Sequence, residues 1–422
     1  MEMSGPRFSV VIPTRERADT LKYTLDTCLV QRFDNYEIVV CDNCSSSSTK
    51  KLVDDFKSDK IKYVRSDRPL AMSDNWELAV SKATGEYVIV IGDDDGLLLH
   101  SLGEIDCLLK ELKVKALRWD RLYYSWPNIL AKEAANRLDI PLSRGVRILK
   151  AREVIPEVAN GQMAYTLLPM LYNSAIHQDL IALLREKTGR VFKASCPDIY
   201  SGFAFAYLAQ SYASVGRPMS TNAGSAKSNG VASIYLKGDS PISKEFHSLN
   251  EEASIGYHPK IPNIPVISAA IADSFQRAKD ALFPDDSDLS IMRKHFVIKC
   301  VQELRSGSED EWRRNLQTIR ESLLDDIELQ QWFDARVINR SPIEQSSDRS
   351  SDWRKQFSYE TVDASRFGVT DVFGVAEIYE KISSKMTNKF QWYMRFELLS
   401  LWIRMKKVAG ASSREQKYVD DA

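Results

Sequence analysis

The densest chemical signal in the chain is Gly85–Gly96, GEYVIVIGDDDG, where an apolar, β-branched run ends in three consecutive carboxylates, Asp93, Asp94 and Asp95. Carboxylates crowded at the tip of a buried strand repel one another and need compensation. A divalent cation supplies it well, and hard carboxylate oxygens suit Mg²⁺ or Mn²⁺. Mg²⁺ is typically held by one or two carboxylates together with substrate phosphates, so a phosphate-bearing ligand is its natural companion. The plain alternative is a solvated acidic turn. Against it stands the setting: polar residues also follow two other apolar runs, Pro13-Thr14-Arg15 after FSVVI and Asp42-Asn43 after EIVVC.

The elements that must position these residues follow from hydrophobic period and turn chemistry. Residues 8–12 predict a buried strand closed by Pro13. Over 18–31 the period becomes helical, with Leu21, Leu25, Cys28 and Leu29 on one face and Asp19 or Thr20 as N-cap. A strand over 37–41, a helix over 49–56, a strand over 61–64, a helix from a Ser73 cap to Lys82 and a strand over 87–91 continue the alternation. Strands alternating with helices predict a parallel α/β sheet covered on both faces. In such sheets a ligand sits outside the carboxyl ends of the strands, at the topological switch point. That rule selects the three polar stretches already named.

Further along, the pattern predicts a helix over 97–112, an aromatic strand over 121–126 and helices over 180–187 and 201–210. Pro259, Pro262 and Pro265 punctuate a change of style. Beyond them come helices over 267–282 and 289–304, and one opened by a Ser308/Glu311 capping box. A polar linker is expected over 339–352. The organisation expected is an α/β domain over 1–258 and a mainly helical accessory region over 259–422.

Composition excludes several classes. The 422 residues carry 57 basic and 58 acidic side chains, and a net charge of −1 argues against a chain-wide grip on nucleic acid. No apolar run approaches the ~20 residues of a membrane span. MEMSGPRFSVV does not read as a secretory signal, and six cysteines are no disulfide framework, so a reducing cytoplasm is expected. Cys41 and Cys44 form a C-x-x-C without a second pair or suitably spaced His, and read as structural. GxGxxG, Walker A and G-x-S-x-G motifs are missing.

VVIPTRER (10–17), EIVVCDN (37–43) and GEYVIVIGDDD (85–95), in this order, resemble glycosyltransferase family 2. The resemblance is strong over about 7–110, loose over 111–240 and silent beyond about 260. It implies a GT-A fold, Rossmann-like with a mostly parallel sheet and helices on both faces, and an inverting, metal-dependent enzyme. Pro13 and Thr14 would then lie against the nucleoside, and Asp42 would accept a hydrogen bond from the base, typically uracil. Asn75 would help shape the nucleotide pocket, with Trp76 beside it in the core. Asp93 would lie towards the ribose, Asp94 would ligate Mn²⁺ or Mg²⁺, and Asp95 would stand in or beside the metal shell. Two departures are visible: Gly92 stands where the family's Asp-x-Asp has its first carboxylate, and Ser45–Ser48 replaces a stretch that often holds an Asp.

An inverting transfer needs a general base on the acceptor side. The resemblance points to an Asp or Glu downstream, ahead of a helix, and in CPDIYSGFAFAYLA Asp198 lies 104 residues past Asp94. The plainer alternative is an N-cap Asp with no chemistry, and the two roles can coexist. Arg15 and Arg17, with Arg65 and Arg68, lie near strand ends where guanidinium groups can bind a diphosphate, or serve as surface arginines. The loop STNAGSAKSNGVAS, with Lys227, can fold over a diphosphate or act as a connector. Trp119, Tyr123, Tyr124 and Trp126 could stack on acceptor sugars or fill a strand core. Residues 381–407 hold seven Lys/Arg against one Glu among aromatics, which suits either an anionic membrane interface or a packed helix.

The function expected is transfer of a sugar from a nucleotide-diphosphate donor, UDP-linked, to a hydroxyl of a glycan or lipid-linked glycan acceptor, as in bacterial surface polysaccharide assembly. It would take place in the cytoplasm or at the inner face of the membrane. Two other readings stand beside it. A non-catalytic scaffold would keep the fold alone. A sugar nucleotidyltransferase would carry a Gly-rich basic loop after the first strand, where this chain has PTRERADT.

Overall fold

Apolar residues alternating along each early strand are divided between two faces, and both faces are covered. In the computed structural model, which describes residues 5–228, 241–304, 308–340 and 359–383, the chain begins β1 (Phe8–Thr14), α1 (Ala18–Leu29), β2 (Tyr36–Asp42), α2 (Ser47–Asp55), β3 (Ile61–Arg65), α3 (Met72–Ser81), β4 (Tyr87–Val90). Phe8, Val10, Ile12, Ile38, Val40 and Ile89 pack towards α1 on one face. Val11, Val39, Val88 and Val90 pack on the other, against Trp76 and Ala79 of α3. The period of two along a strand makes that split. The four strands are parallel in the order β4-β1-β2-β3. The chain moves outward from β1 through β2 to β3 and then returns to the other side of β1. The order therefore reverses between β1 and β4, and a crevice opens at their carboxyl ends.

Beyond β4 the pairing is mixed. The chain continues β5 (Gly96–Leu97), α4 (Ser101–Leu112), β6 (Ala116–Ser125), β7 (Arg137–Pro141), β8 (Val146–Lys150), α5 (Ala151–Ala159), β9 (Ser174–His177), α6 (Gln178–Thr188), α7 (Pro197–Ala209) and β10 (Ser211–Gly224). Short β9 joins the halves, antiparallel to both β4 and β6. β10 runs parallel to β6, with a register break between Val215 and Ser220, and antiparallel to β5 and β8. The mostly parallel sheet expected thus holds for β1–β4, while β5 and β7–β9 pair antiparallel with their neighbours.

Packing crosses residue 258, where the sequence suggested a boundary. Phe275 and Phe283 lie against Phe203 and Tyr207 of α7, with centroids 5.4 and 4.4 Å apart. Strand β11 (Tyr359–Asp363) adds to the sheet antiparallel to β7. The helix Val372–Ser383 then buries Val372, Val375 and Tyr379 against Leu98, Leu122 and Tyr124. The intervening helices form their own core around Trp312, Leu316 and Phe333. There Ser308 accepts a bond from the Glu311 N–H, as the capping box predicts.

Two expected caps are displaced. α1 starts one residue before Asp19, with Arg17 at the N-cap, and α3 is preceded by Ala71 while Ser73 bonds Ala194 O instead. Most of the polar linker over 339–352, and the basic segment 381–407 beyond Ser383, lie outside the described residues. No helix among the described residues is long and apolar enough to cross a membrane.

Candidate active site

The crevice between β1 and β4 is the mouth of a cavity of about 650 Å³. A hydrogen bond spans the switch point itself: Thr14 Oγ1, at the end of β1, donates to Asp93 Oδ2, just past β4, at 2.7 Å. Arg17, at the N-cap of α1, brings one guanidinium nitrogen 2.5 Å from Asp94 Oδ2 and 3.6 Å from Asp93 Oδ1. Ser228, in the turn after β10, donates to the same Asp94 oxygen at 2.6 Å. All three charged groups are buried.

Burial pushes the Asp93 carboxyl up to about 6; Asp94 pushes the same way, while Arg17, Thr14 and the Arg15 backbone N–H oppose it. Burial alone would lower the Arg17 guanidinium, but Asp93 and Asp94 more than reverse this and raise it. The pair and the arginine are thus mutually dependent: each charge is tolerated because the others are there.

Asp95 takes no part in the cavity wall. It is wholly buried, and its oxygens accept the Ala223 and Gly92 N–H groups at 2.8 Å each, with the Asn222 amide further off at 3.4 Å. Burial and neighbouring Asp94 raise its carboxyl to about 6. The three aspartates, equivalent in sequence, have different jobs: Asp93 and Asp94 open onto the cavity and Asp95 ties the turn to β10. Asp95, expected in or beside the metal shell, thus lies off the cavity wall.

Asp42 is likewise set back. It is fully buried and off the cavity wall, where it accepts the Ser45 N–H at 2.8 Å and the Tyr63 hydroxyl at 2.5 Å; its neighbour Asn43 lines the cavity. Pro13, Thr14, Arg15 and Arg17 all line it, as do Asn75 and Trp76. Arg15 donates to Asn43 O at 2.8 Å and pairs with Glu245. Lys227 also faces the cavity and donates to Glu16 O at 3.1 Å. Arg65 and Arg68 do not line it. Cys41 is buried, with its thiol against Asn75.

Asp198 lines the same cavity. It sits in the first turn of α7, after Pro197, with Cys196 as the N-cap, so it stands inside the helix rather than ahead of it and does not cap it. Burial raises its carboxyl, opposed by the Ile199 N–H and by the charge of Arg121. Tyr123 and Tyr124 of β6 border the cavity; Trp126 is instead a buried donor, from Nε1 to Asp94 O at 3.0 Å. Sequence reasoning missed Tyr165 and Tyr172, which complete the aromatic wall. It also missed the helix Pro241–Glu252, which presents Glu245, Phe246 and Leu249.

Residues 9–104 match the family model described as Glycosyl transferase family 2. The chain carries a family 2 glycosyltransferase domain. The α/β architecture, with helices following, is the layout expected from the resemblance. Among curated relatives, the GalNAc(5)-diNAcBac-PP-undecaprenol beta-1,3-glucosyltransferase of Campylobacter jejuni is 32% identical over 103 residues, 24% of this chain and 33% of the relative. The Staphylococcus aureus poly(ribitol-phosphate) beta-N-acetylglucosaminyltransferase TarS is 24% identical over 181 residues, 41% of this chain and 28% of TarS. The first curated relatives are thus matched over about a third of their length. The solved TarS 1-349 in complex with UDP-GlcNAc aligns with a TM-score of 0.45 at 14% identity, over 76% of this chain and 83% of that one. In the family 2 domain of this chain, Thr14, Asp93 and Asp94 are the polar groups gathered where its strand order reverses.

Proposed function

We propose that the protein is an inverting glycosyltransferase, dependent on a divalent metal, that moves a sugar from a nucleotide diphosphate, UDP-linked, to a hydroxyl of a glycan or lipid-linked glycan. The observation that carries this reading is the meeting of Thr14, Arg17, Asp93 and Asp94 at the switch point, with Asp198 lining the same cavity. The curated relatives named above transfer sugars to undecaprenol-diphosphate-linked or poly(ribitol-phosphate) acceptors, which favours an acceptor of that kind. Action in the cytoplasm at the inner face of the membrane goes with it.

The donor set fits a small hard cation. Two carboxylates open on the cavity, and Mg²⁺ needs only one or two beside the substrate's own phosphates. Among the described residues no group of three or more His, Cys, Asp or Glu could hold a metal ion, so the remaining ligands would come from substrate and water. Asp93 and Asp94 are the residues that would hold the ion, which supplies charge neutralisation at the departing diphosphate. Arg15, Arg17 and Lys227 line the same cavity and add fixed positive charge to it. Pro13 and Asn43 flank the nucleoside, with Asp42 acting at one remove by fixing Ser45 and Tyr63.

Asp198 is the general base. Its carboxylate takes the proton of the acceptor hydroxyl as that oxygen attacks the anomeric carbon, on the face opposite the diphosphate. A carboxyl raised by burial is better matched to that task near neutral pH.

The test is a thermal-shift screen of UDP, GDP, CMP and dTDP, each with Mn²⁺ and with EDTA. A ligand at about 100 times its Kd stabilises the native state by about 2.7 kcal/mol. A metal-dependent rise with UDP is expected; no shift with any nucleotide would overturn the reading.

A further inference from the structure

Arg17 stands where a cation at the acidic pair belongs. One guanidinium nitrogen touches Asp94 Oδ2 at 2.5 Å and Ser225 Oγ at 2.8 Å, and lies 3.6 Å from Asp93 Oδ1. With the Ser228 hydroxyl 2.6 Å away, Asp94 Oδ2 already has two partners. A guanidinium does not lose its charge at any working pH, so a metal ion approaching this oxygen meets a permanent competitor.

The backbone holds the competitor in place. Glu16, between Arg15 and Arg17, adopts a left-handed conformation (φ 53°) that is uncommon for a residue with a side chain. Arg15, Glu16 and Arg17 all line the cavity. Such strain persists where its surroundings fix it, and it concentrates at functional sites.

We propose that Arg17 is an internal counter-cation: it neutralises Asp93 and Asp94 while the donor site is empty, and it passes to the donor's diphosphate when nucleotide binds, which frees Asp94 for the divalent ion. This rests on the nucleotide-donor reading above. A planar guanidinium pairs with phosphate in the same forked manner as with carboxylate, so the diphosphate offers Arg17 an equivalent partner. Metal and nucleotide then strengthen one another's binding beyond their direct contact, because each removes the other's cost. The buried carboxylates are never left without a cation, which accounts for their tolerance at 8% and 6% exposure.

The experiment measures Mn²⁺ affinity in the absence of nucleotide, by titration of the full-length protein with Mn²⁺ followed through the spin-resonance signal of the free ion. Arg17→Met should bind Mn²⁺ at least tenfold more tightly than wild type and UDP more weakly. Arg17→Lys, which keeps the charge, should stay near wild type. Arg17→Gln, uncharged but still able to donate to Asp94, serves if the Met variant does not fold, with the same tightening expected. Unchanged or weaker Mn²⁺ binding in the uncharged variants, in a protein whose wild type binds Mn²⁺ with UDP, overturns the counter-cation alone. A wild type that binds no UDP, with or without Mn²⁺, overturns the donor reading and this inference with it.

Discussion

Replacing Asp198 by Asn isolates the chemical step from donor binding, because the change removes a proton acceptor and little else. The side chain sits in the first turn of α7 and accepts the Ile199 N–H, a bond that an amide oxygen can keep. No hydrogen bond among the described residues joins it to Thr14, Arg17, Asp93 or Asp94, so the diphosphate side of the cavity should not register the substitution. Loss of a general base costs ~10²–10⁴ in rate, which is about 2.7–5.4 kcal/mol of transition-state stabilisation at 1.36 kcal/mol per decade. The assay is release of nucleotide from the donor sugar in the presence of acceptor, with UDP affinity measured alongside. The expected outcome is a kcat lowered by two to four decades and a Kd for Mn²⁺–UDP within about twofold of wild type. The pH profile gives a second, independent readout. A base must be ionised to act, so wild-type kcat should fall tenfold per unit on the acid side of its pKa. Burial places that limb above the ordinary carboxylate range of about 3.9, and Asp198→Asn should lack it. Retention of more than about a tenth of the rate, or an acid limb unchanged in the variant, would refute the assignment.

Asp94→Asn and Asp95→Asn should part company although the residues are adjacent. The first should abolish the Mn²⁺-dependent share of UDP stabilisation and also lower the melting temperature of the free protein, because Arg17 loses its nearest counter-charge. The second should keep metal dependence but lower stability by about 1–3 kcal/mol, since the introduced amide group must face one of the N–H donors from Gly92 and Ala223. Melting curves with and without Mn²⁺–UDP check both, and the reverse pattern would mean that Asp95 is the ligand. At Gly85 an added Cβ would lie 2.5 Å from Ser9 N and 2.6 Å from Phe8 C, both backbone atoms of β1. Gly85→Ala should therefore destabilise by about 1–3 kcal/mol or more through overpacking, and a melting temperature equal to wild type would show that β1 and β4 can move apart.

How much of this was legible in the sequence depends on how local the determining forces are. β1 to β4 could be placed because each is a short apolar run bounded by turn residues, and the helices between them keep their own period. Their carboxyl ends, and with them Thr14, Arg17, Asp93 and Asp94, followed from the parallel alternation. The remaining half is built by pairings that leave no local trace. β10, SYASVGRPMSTNAG, contains Pro218 and two glycines, and its last five residues, STNAG, open the stretch expected as a loop, yet it pairs with three strands because neighbours supply the hydrogen bonds. β11 meets β7 across an interval of more than two hundred residues, which no window of sequence reveals.

The division of labour among the aspartates was hidden for the same reason. Which carboxylate faces the cavity depends on two N–H donors, one from the turn at Gly92 and one from Ala223 on the distant β10, that claim Asp95. The identical side chains to its left are left open to a cation. Asp42, expected against the base, is held off the cavity wall by a bond to Tyr63 on the next strand, which its own sequence neighbours do not reveal. Tyr165, Tyr172 and Phe246 gave no signal, since aromatic residues in a sequence rich in them carry no mark of the surface they will line. A catalytic residue can be read where chemistry demands an unusual residue type at a strand end. The aromatic wall of the cavity, with Tyr123, Tyr165 and Tyr172, is set by tertiary packing, which neighbours in sequence do not reveal.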